Sequence, residues 1–560
     1  MKKLIVLCLT AALLVPGCIK VDNSLGSSLV DKSLLYDTYT VEFPLEEIQM
    51  KMSDALSGYS SSKLTIGAIR DEVLGLTTRE AAFCLVPQLD TIDLGTNPKP
   101  VSFTLYFEPD TVSCNQENQK HILQNIRVTQ LQQELPDASD PNCTQEIPHY
   151  SELITEGMPV YNGEGPLTFA FTQAFAQHYI DVLQGLGPVF RQRVKDEEKE
   201  TFLDKYDEWV ALMPGIHLEV NAPEGNGGRI NLFKFPSVTV SNNYYTTNNN
   251  VARLKVHSTW KGVEKDSIFV FVPGETDFFN EAEYLNQNVA FEQVCFNRTT
   301  HETAAGKAGN TILVEGGGGL KPVILASELQ EKTRVAIAKE GGNPDKVIVV
   351  KASIILPFEM PENYKDLDYF PSVLSPTIQT TSKDEEGNEY VTFAGLTDAS
   401  VSSENQGAID RSTLQYAPDI TYHLQEILDR TDLATSTDAD IWLLTIHTNK
   451  VANASGSAYD NAYYQQLMYA SYYNSLYGGG YGYGGYGGYG GYGYGSGYGY
   501  SNYYNYMMLA QMMAASQQQT YSYTTELDKD RFYRGILCGP STAKEDNKPF
   551  FRVTFAVPKG

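Results

Sequence analysis

The chain has 560 residues, with 68 acidic against 42 basic side chains, a formal net charge of −26 and seven cysteines. Acidity of this degree argues against nucleic acid as a partner, since phosphate backbones are met by a basic stripe; it fits the solvated surface of an exported protein. The length exceeds what one hydrophobic core serves and calls for two or three domains.

The N-terminus sets the expected address. Lys2 and Lys3 precede the apolar run LIVLCLTAALLV, residues 4–15. That run is too short for a bilayer core of about 30 Å and has the length of a secretory h-region. It leads through V-P-G to Cys18, a pattern that resembles a bacterial lipobox, with Pro16 where Ala or Ser is usual. The expectation is a signal peptide over 1–17, acylation at Cys18 and a polar tether over 18–35; ordinary secretion with cleavage elsewhere is the competing reading. No other stretch has the apolar length of a membrane helix, so the acyl chains are the expected anchor.

Beyond the tether, alternation of period two dominates. SFTLYF (102–107) alternates apolar and polar positions, and two helices are expected next. FTQAFAQHYIDVL (171–183) sets Phe175, Tyr179 and Val182 at helical spacing, with His178 on the polar flank. DEEKETFLDKYDEWVALMPG (196–215) opens with acidic residues suited to a helix N-terminus and aligns Phe202, Tyr206, Trp209 and Met213. IHLEV (216–220) then places Ile216, Leu218 and Val220 on a dry face and His217 and Glu219 on a wet one. ARLKVHSTW (252–260) and FFRVTFAV (550–557) repeat the pattern. Strands with one wet and one dry face belong to antiparallel sheets. A weak internal repeat relates residues 63–109 to 310–361, each a strand, a Gly-containing turn, a strand and a further apolar strand. The expected fold is mainly β: two β-sandwich or jelly-roll-like domains, 36–280 and 281–560, with a few covering helices and a low-complexity insertion over 450–528.

Cys114 (in SCNQEN) and Cys143 (in PNCTQE) lie in polar, turn-like surroundings and are the preferred disulfide pair, although pairing is not fixed by sequence. Cys84 and Cys295 lie in apolar strand-like runs, where a buried thiol is the default. No CxxC and no Cys–His zinc spacing occurs.

Catalytic motifs fail on inspection. HETAAGKAGNT (301–311) lacks the second histidine of HExxH, and Gly306-Lys307 is followed by Ala308 rather than the Ser or Thr of a phosphate loop. Gly316–Gly319 follows a strand but LKPVIL continues as strand, so a tight turn or a bulge with positive φ is expected. The eight histidines show no arrangement that recommends a base. No catalytic residue, metal ligand or cofactor is assigned, and the chain is expected not to be an enzyme. Structural calcium is the one ion considered, at the acidic loops 137–142, 383–389 and 431–440, none of which matches the Asp-rich loop pattern.

Residues 477–500 comprise fourteen glycines, nine tyrosines and one serine, inside a stretch from Asn461 to Thr525 that holds no charged residue. Glycine at this density opposes a fixed fold. Tyr477, Tyr481, Tyr486, Tyr489, Tyr492 and Tyr498 are spaced as amphipathic stickers for protein aromatics, sugars or one another. A neutral spacer, a partner-docking or membrane-proximal loop, and a glycan site are the three readings of this tract.

The stretches NSLGSSLVD after the lipobox, LTIGAIRDEVLGLTTREAAF, ALMPGIHLEV, ILVEGGGGLKPVIL, KVIVVKASIILPF and the closing FFRVTFAV resemble a family of large lipoproteins of Bacteroidetes-type bacteria, a domain of unknown function. The paired strands resemble jelly-roll modules of cell-surface and carbohydrate-binding proteins. The resemblance implies a lipid-anchored outer-membrane protein without established catalytic residues. Surface display is favoured over the periplasmic face, although CIKVDNS offers only Asp22 where surface-displayed lipoproteins carry an acidic run. The function expected is that of an accessory subunit of an outer-membrane assembly, with an outer-membrane protein as partner; the alternative is a glycan-binding surface lipoprotein, for which Trp260 and Trp442 are the first aromatics to inspect.

Overall fold

The computed structural model describes residues 36–558 apart from 61–62, 90, 114–118, 136–141, 196–199, 235–237, 242–243, 248–249, 274–288, 291–294, 384–386, 388, 399–405 and 453–520. The fold is mainly β, with several antiparallel sheets and few helices. The signal peptide, the tether, Cys18, Cys114 and the six named tyrosines lie outside the described residues.

Two sandwiches carry the core. In the first, a ten-stranded sheet contains, in spatial order, His149–Leu153, Gln124–Leu131, Ile216–Val220, Gly75–Phe83, Lys63–Asp71, Gly227–Lys234 and Pro109–Ser113. It shares one core with the sheet ordered Leu167–Ala170, Thr96–Phe107, Ala252–Trp260, Val263–Pro273 and Leu85–Pro87. Alternate residues of both sheets meet there: Leu64, Ile66, Ile216 and Leu218 from one, Phe103, Leu105, Leu254 and Val256 from the other. The helix Gln173–Leu186 closes one side. Thr172 caps it by accepting from the Phe175 N–H at 3.2 Å, as N-cap hydroxyls do. Its Phe175 and Tyr179 rings pack on Phe103 at centroid distances of 6.4 and 4.9 Å.

In the second sandwich the sheet Tyr36–Pro44, Phe550–Pro558, Ile348–Pro357, Gln415–Tyr416, Ile409–Asp410 faces one that includes Gln49–Met52, Leu320–Ile324, Ile441–Ala452 and Val373–Lys383. Phe551, Val553 and Phe555 are fully buried, as their alternation requires. The two halves of the sequence repeat share one feature: the third strand, Thr96–Phe107 or Ile348–Pro357, belongs to the sheet facing that of the second strand.

Three expectations are corrected. Residues 36–52, placed with the first domain, belong to the second: Tyr36–Pro44 pairs along its whole length with Phe550–Pro558, and Leu45 and Ile48 enter the second core. Conversely Cys295–His301, placed with the second, pairs with Gly75–Phe83 in the first sheet. Each exchange gives an open strand edge a partner, the usual remedy for unpaired backbone. The helix expected over 196–215 is confined to Tyr206–Leu212, because Glu200–Asp204 pairs with Arg191–Lys195 as a hairpin; Thr201 and Phe202 are residue types that suit strands. The strand expected at LKPVIL is present as Leu320–Ile324 and is followed by the helix Ala326–Lys339. Its start is satisfied from afar, since Asp440 Oδ1 accepts from the Ala326 N–H at 3.0 Å.

Candidate functional site

The sandwiches are joined by residues 528–534, which follow the strand Tyr521–Leu527. Asp528 folds this strap. Its Oδ1 accepts from the Arg531 N–H at 3.1 Å, its Oδ2 from the Tyr533 hydroxyl at 2.5 Å, and its backbone exchanges bonds with Thr445 at 2.9 and 3.0 Å. Asp is suited to such local side-chain-to-backbone turns. Burial pushes the Tyr533 hydroxyl far up, and the Asp528 charge adds to the shift. From the strap, Phe532 enters a cluster with Ile69, Leu74, Ile230 and Leu232 of the first unit. Lys529 Nζ donates to the Ser57 and Tyr59 carbonyls, and Arg534 Nε donates to Asp71 Oδ2 at 2.7 Å.

Beside the strap lies a cleft of about 940 Å³ lined by residues of both units, a size suited to a small ligand. Tyr369, Phe370 and Tyr533 supply aromatic surface, and Arg411 and Arg531 supply cations. Arg411 is held by Asp368 at 3.2 Å and Arg531 lies 2.8 Å from the His447 ring nitrogens. Stacking surface beside guanidinium donors can bind a polar or anionic ligand.

Beneath the tetraglycine turn is a second polar constellation. Gly317 has φ 54° as expected, and Lys321 Nζ donates to the carbonyls of Gly317 and Gly319 at 3.0 and 3.2 Å and to Ser53 Oγ at 3.2 Å. Glu315 Oε2 accepts from the Leu320 N–H at 2.9 Å and Thr303 Oγ1 at 2.5 Å. Its Oε1 lies 3.3 Å from His301 Nδ1, without the alignment of a hydrogen bond. Arg79 is 1% exposed, and its Nε and Nη1 have no hydrogen-bond partner. Burial pulls Arg79 and His301 down and brings Lys321 to about 7. Burial also pushes Glu315 up, but His301, the Leu320 N–H and Thr303 outweigh it and hold the carboxyl below its usual range. Perturbed groups of this kind mark functional sites or structural networks alike. All four side chains are at most 1% exposed, so this cluster is a closed keystone between the Gly75–Phe83 strand and the glycine turn.

The third constellation sits on the other face of the first sheet. His217 is fully buried, against the expectation that it lies on a wet face. That face is covered too, by Tyr59, Leu131, Ile147 and Phe296. The His217 ring stacks on His149 with centroids 4.0 Å apart, and Glu219 completes a group whose ligand atoms lie within 4.8 Å of one another. The scattered histidines thus include a converging pair. The signal was the spacing His217-x-Glu219, which puts both side chains on one face of a strand; nothing in the sequence places His149 beside them.

Other expected site residues fall apart. Among the described residues Cys143 is a buried thiol without a disulfide, its Sγ facing the Asp54 carbonyl at 3.9 Å and lying against Gly318; Cys114, its expected partner, lies outside the described residues. Cys84 and Cys295 are buried free thiols as expected. In the 431–440 loop, Asp432 and Asp438 converge on Arg430 at 2.7 and 2.9 Å; the guanidinium holds the place a calcium ion would need. Residues 137–141 of the first acidic loop and 384–386 and 388 of the 383–389 loop lie outside the described residues. Trp442 is core, and Trp260 is half-buried under Lys265 Nζ at 4.1 Å. Among the described residues no helix is long and apolar enough to cross a membrane. No protein-family model, curated protein or solved structure matches the chain.

Proposed function

We propose that the chain is a non-catalytic lipoprotein, anchored to the outer membrane through Cys18, that serves as an accessory subunit of a membrane or cell-surface assembly and uses its uncharged insertion as the contact arm. The observation that carries this reading is the hairpin of Ile441–Ala452 with Tyr521–Leu527, paired in register from Ile446↔Leu527 to Ala452↔Tyr521. It brings both ends of the 453–520 segment out of the second sandwich side by side. From Asn461 onward the segment holds no charge, so its Tyr and Met side chains there can be buried against a partner without desolvating one, and the returning strand runs directly into the strap that joins the two units. The test is a mild-detergent pull-down of the lipidated chain beside a variant with 455–518 replaced by a short Gly/Ser linker, which leaves the hairpin intact. A stoichiometric membrane-protein partner lost with the replacement supports the reading; recovery of the intact chain alone sinks it.

The cleft favours a second reading, a glycan-binding surface lipoprotein, because Tyr369 and Arg411 line it together. A glycan array with the wild type and the Tyr369→Ala/Arg411→Ala double variant decides it: retained glycans must be lost in the variant.

A further inference from the structure

We propose that His149, His217 and Glu219 form a binding site for a borderline transition-metal ion of the Zn2+ class on the first sheet. The argument begins with the most buried group. His217 is fully enclosed, and its Nε2 faces Glu80 Oε2 at 3.3 Å. Glu80 is itself fixed by Arg298, whose Nη1 donates to both carboxylate oxygens at 3.0 and 3.1 Å. A carboxylate paired in this way with a guanidinium accepts, so it takes a proton on Nε2 and leaves the Nδ1 lone pair of His217 to point elsewhere. That Nδ1 is buried without a hydrogen-bond partner, and an orphaned buried polar atom costs about 1–3 kcal/mol unless something satisfies it.

His149 repeats the arrangement. Its Nδ1 lies 3.0 Å from the Ile147 carbonyl oxygen, which also only accepts, so Nε2 carries the lone pair. Each imidazole is therefore backed by an acceptor on one nitrogen and free to ligate through the other, the outer-shell pattern of metal-bound histidines. Glu219 adds an oxygen; one of its oxygens, Oε1, is held by Arg127 Nε at 3.2 Å. Two neutral imidazoles and one carboxylate suit Zn2+, Ni2+ or Cu2+, whereas Ca2+ and Mg2+ prefer all-oxygen shells. Three protein ligands leave a fourth position for water or a partner's side chain. The two rings are 17° from parallel, so an ion must open the stack. The His149 backbone is anchored by its pairing with Leu131, so the opening falls to rotation of the half-buried His149 side chain.

The experiment uses the tag-free mature chain, stripped with a chelator and titrated with Zn2+ by calorimetry, then with Co2+ by visible absorption. One equivalent of Zn2+ is expected, with the intense visible bands of four-coordinate Co2+. His149→Gln and Glu219→Gln, at half-buried positions, must each abolish stoichiometric binding while leaving the metal-free thermal melt unchanged. Glu80→Gln must weaken it by about 10–100-fold. His217→Gln is secondary, because its full burial can cost the fold itself. No stoichiometric Zn2+ on the wild type, or binding that survives both His149→Gln and Glu219→Gln, overturns the proposal.

Discussion

Arg534 Nε donates to Asp71 Oδ2 at 2.7 Å across 463 residues of sequence. The bond spans the seam between the sandwiches: Asp71 ends the Lys63–Asp71 strand of the first, and Arg534 leads into the Gly535–Cys538 strand. Together with Phe532 and Lys529 it ties the strap to the first unit. The strap also follows directly on the Tyr521–Leu527 strand, which pairs with Ile441–Ala452 of the second sandwich.

Removing that tie has a definite cost. In Arg534→Ala the Asp71 carboxylate, 6% exposed, keeps only the Val73 and Leu74 N–H donors at 2.9 and 3.1 Å. A loss of about 1–3 kcal/mol is expected, read as a lower urea midpoint, with partial recovery in Arg534→Lys. An unchanged midpoint would mean that Phe532 and Lys529 hold the strap without it.

The tetraglycine turn makes a second demand. A Cβ at Gly317 would sit 2.5 Å from Arg79 Nη2 in a residue with φ +54°, whereas Gly341 at φ +78° has open space around it. Left-handed backbone costs an alanine roughly 1–2 kcal/mol at either position. Gly317→Ala must also displace a guanidinium that is fully enclosed. Thermal melts should therefore rank Gly317→Ala well below Gly341→Ala; equal losses would show that Arg79 has room to move.

Much of the fold was legible because alternation reports faces: Phe103, Leu105, Leu218, Val553 and Phe555 are all inside. Alternation does not report whether the opposite face is covered, which is why His217 read as wet. Chain connectivity was equally silent on partners. Leu45 belongs with Phe551 rather than with Leu64, and Asp440 caps a helix that begins at Ala326. The keystone was hidden for the same reason, since Arg79, His301, Glu315 and Lys321 meet only after the Gly75–Phe83 and Cys295–His301 strands pair. The Gly316–Gly319 turn was readable locally, because a strand on each side leaves little else for four glycines to do.

Thiol accessibility gives a third prediction. Cys84, Cys143, Cys295 and Cys538 are all buried. Burial pushes Cys143 up to about 11 and raises Cys295 and Cys538 as well. Reactivity follows the exposed thiolate, so maleimide labelling of the native chain at pH 7.5, mapped by mass spectrometry, should leave these four unmodified, and labelling in urea should reach all four. Native labelling at Cys143 would show that the glycine turn opens.

The buried lysine makes stability depend on pH in a stated direction. Burial lowers Lys321 from 10.5 to about 7. Between those values the unfolded chain holds a proton that the folded chain has released, so stability rises with pH. Below about 7 both states are protonated and the cost of enclosing the ammonium is present in full. Cys143 works the other way: its folded value of about 11 lies above its ordinary 9.0, so its contribution is intact below 9 and is lost as pH rises through 11. The Lys321 effect is thus cleanest from pH 7 to 9. Over that range the wild-type melting temperature should climb relative to that of Lys321→Met, which keeps the side-chain volume without the charge and should be the more stable of the two at pH 6. A wild-type and variant pair whose difference does not change between pH 6 and 9 would mean that Lys321 stays protonated, held by Glu315 and the glycine carbonyls.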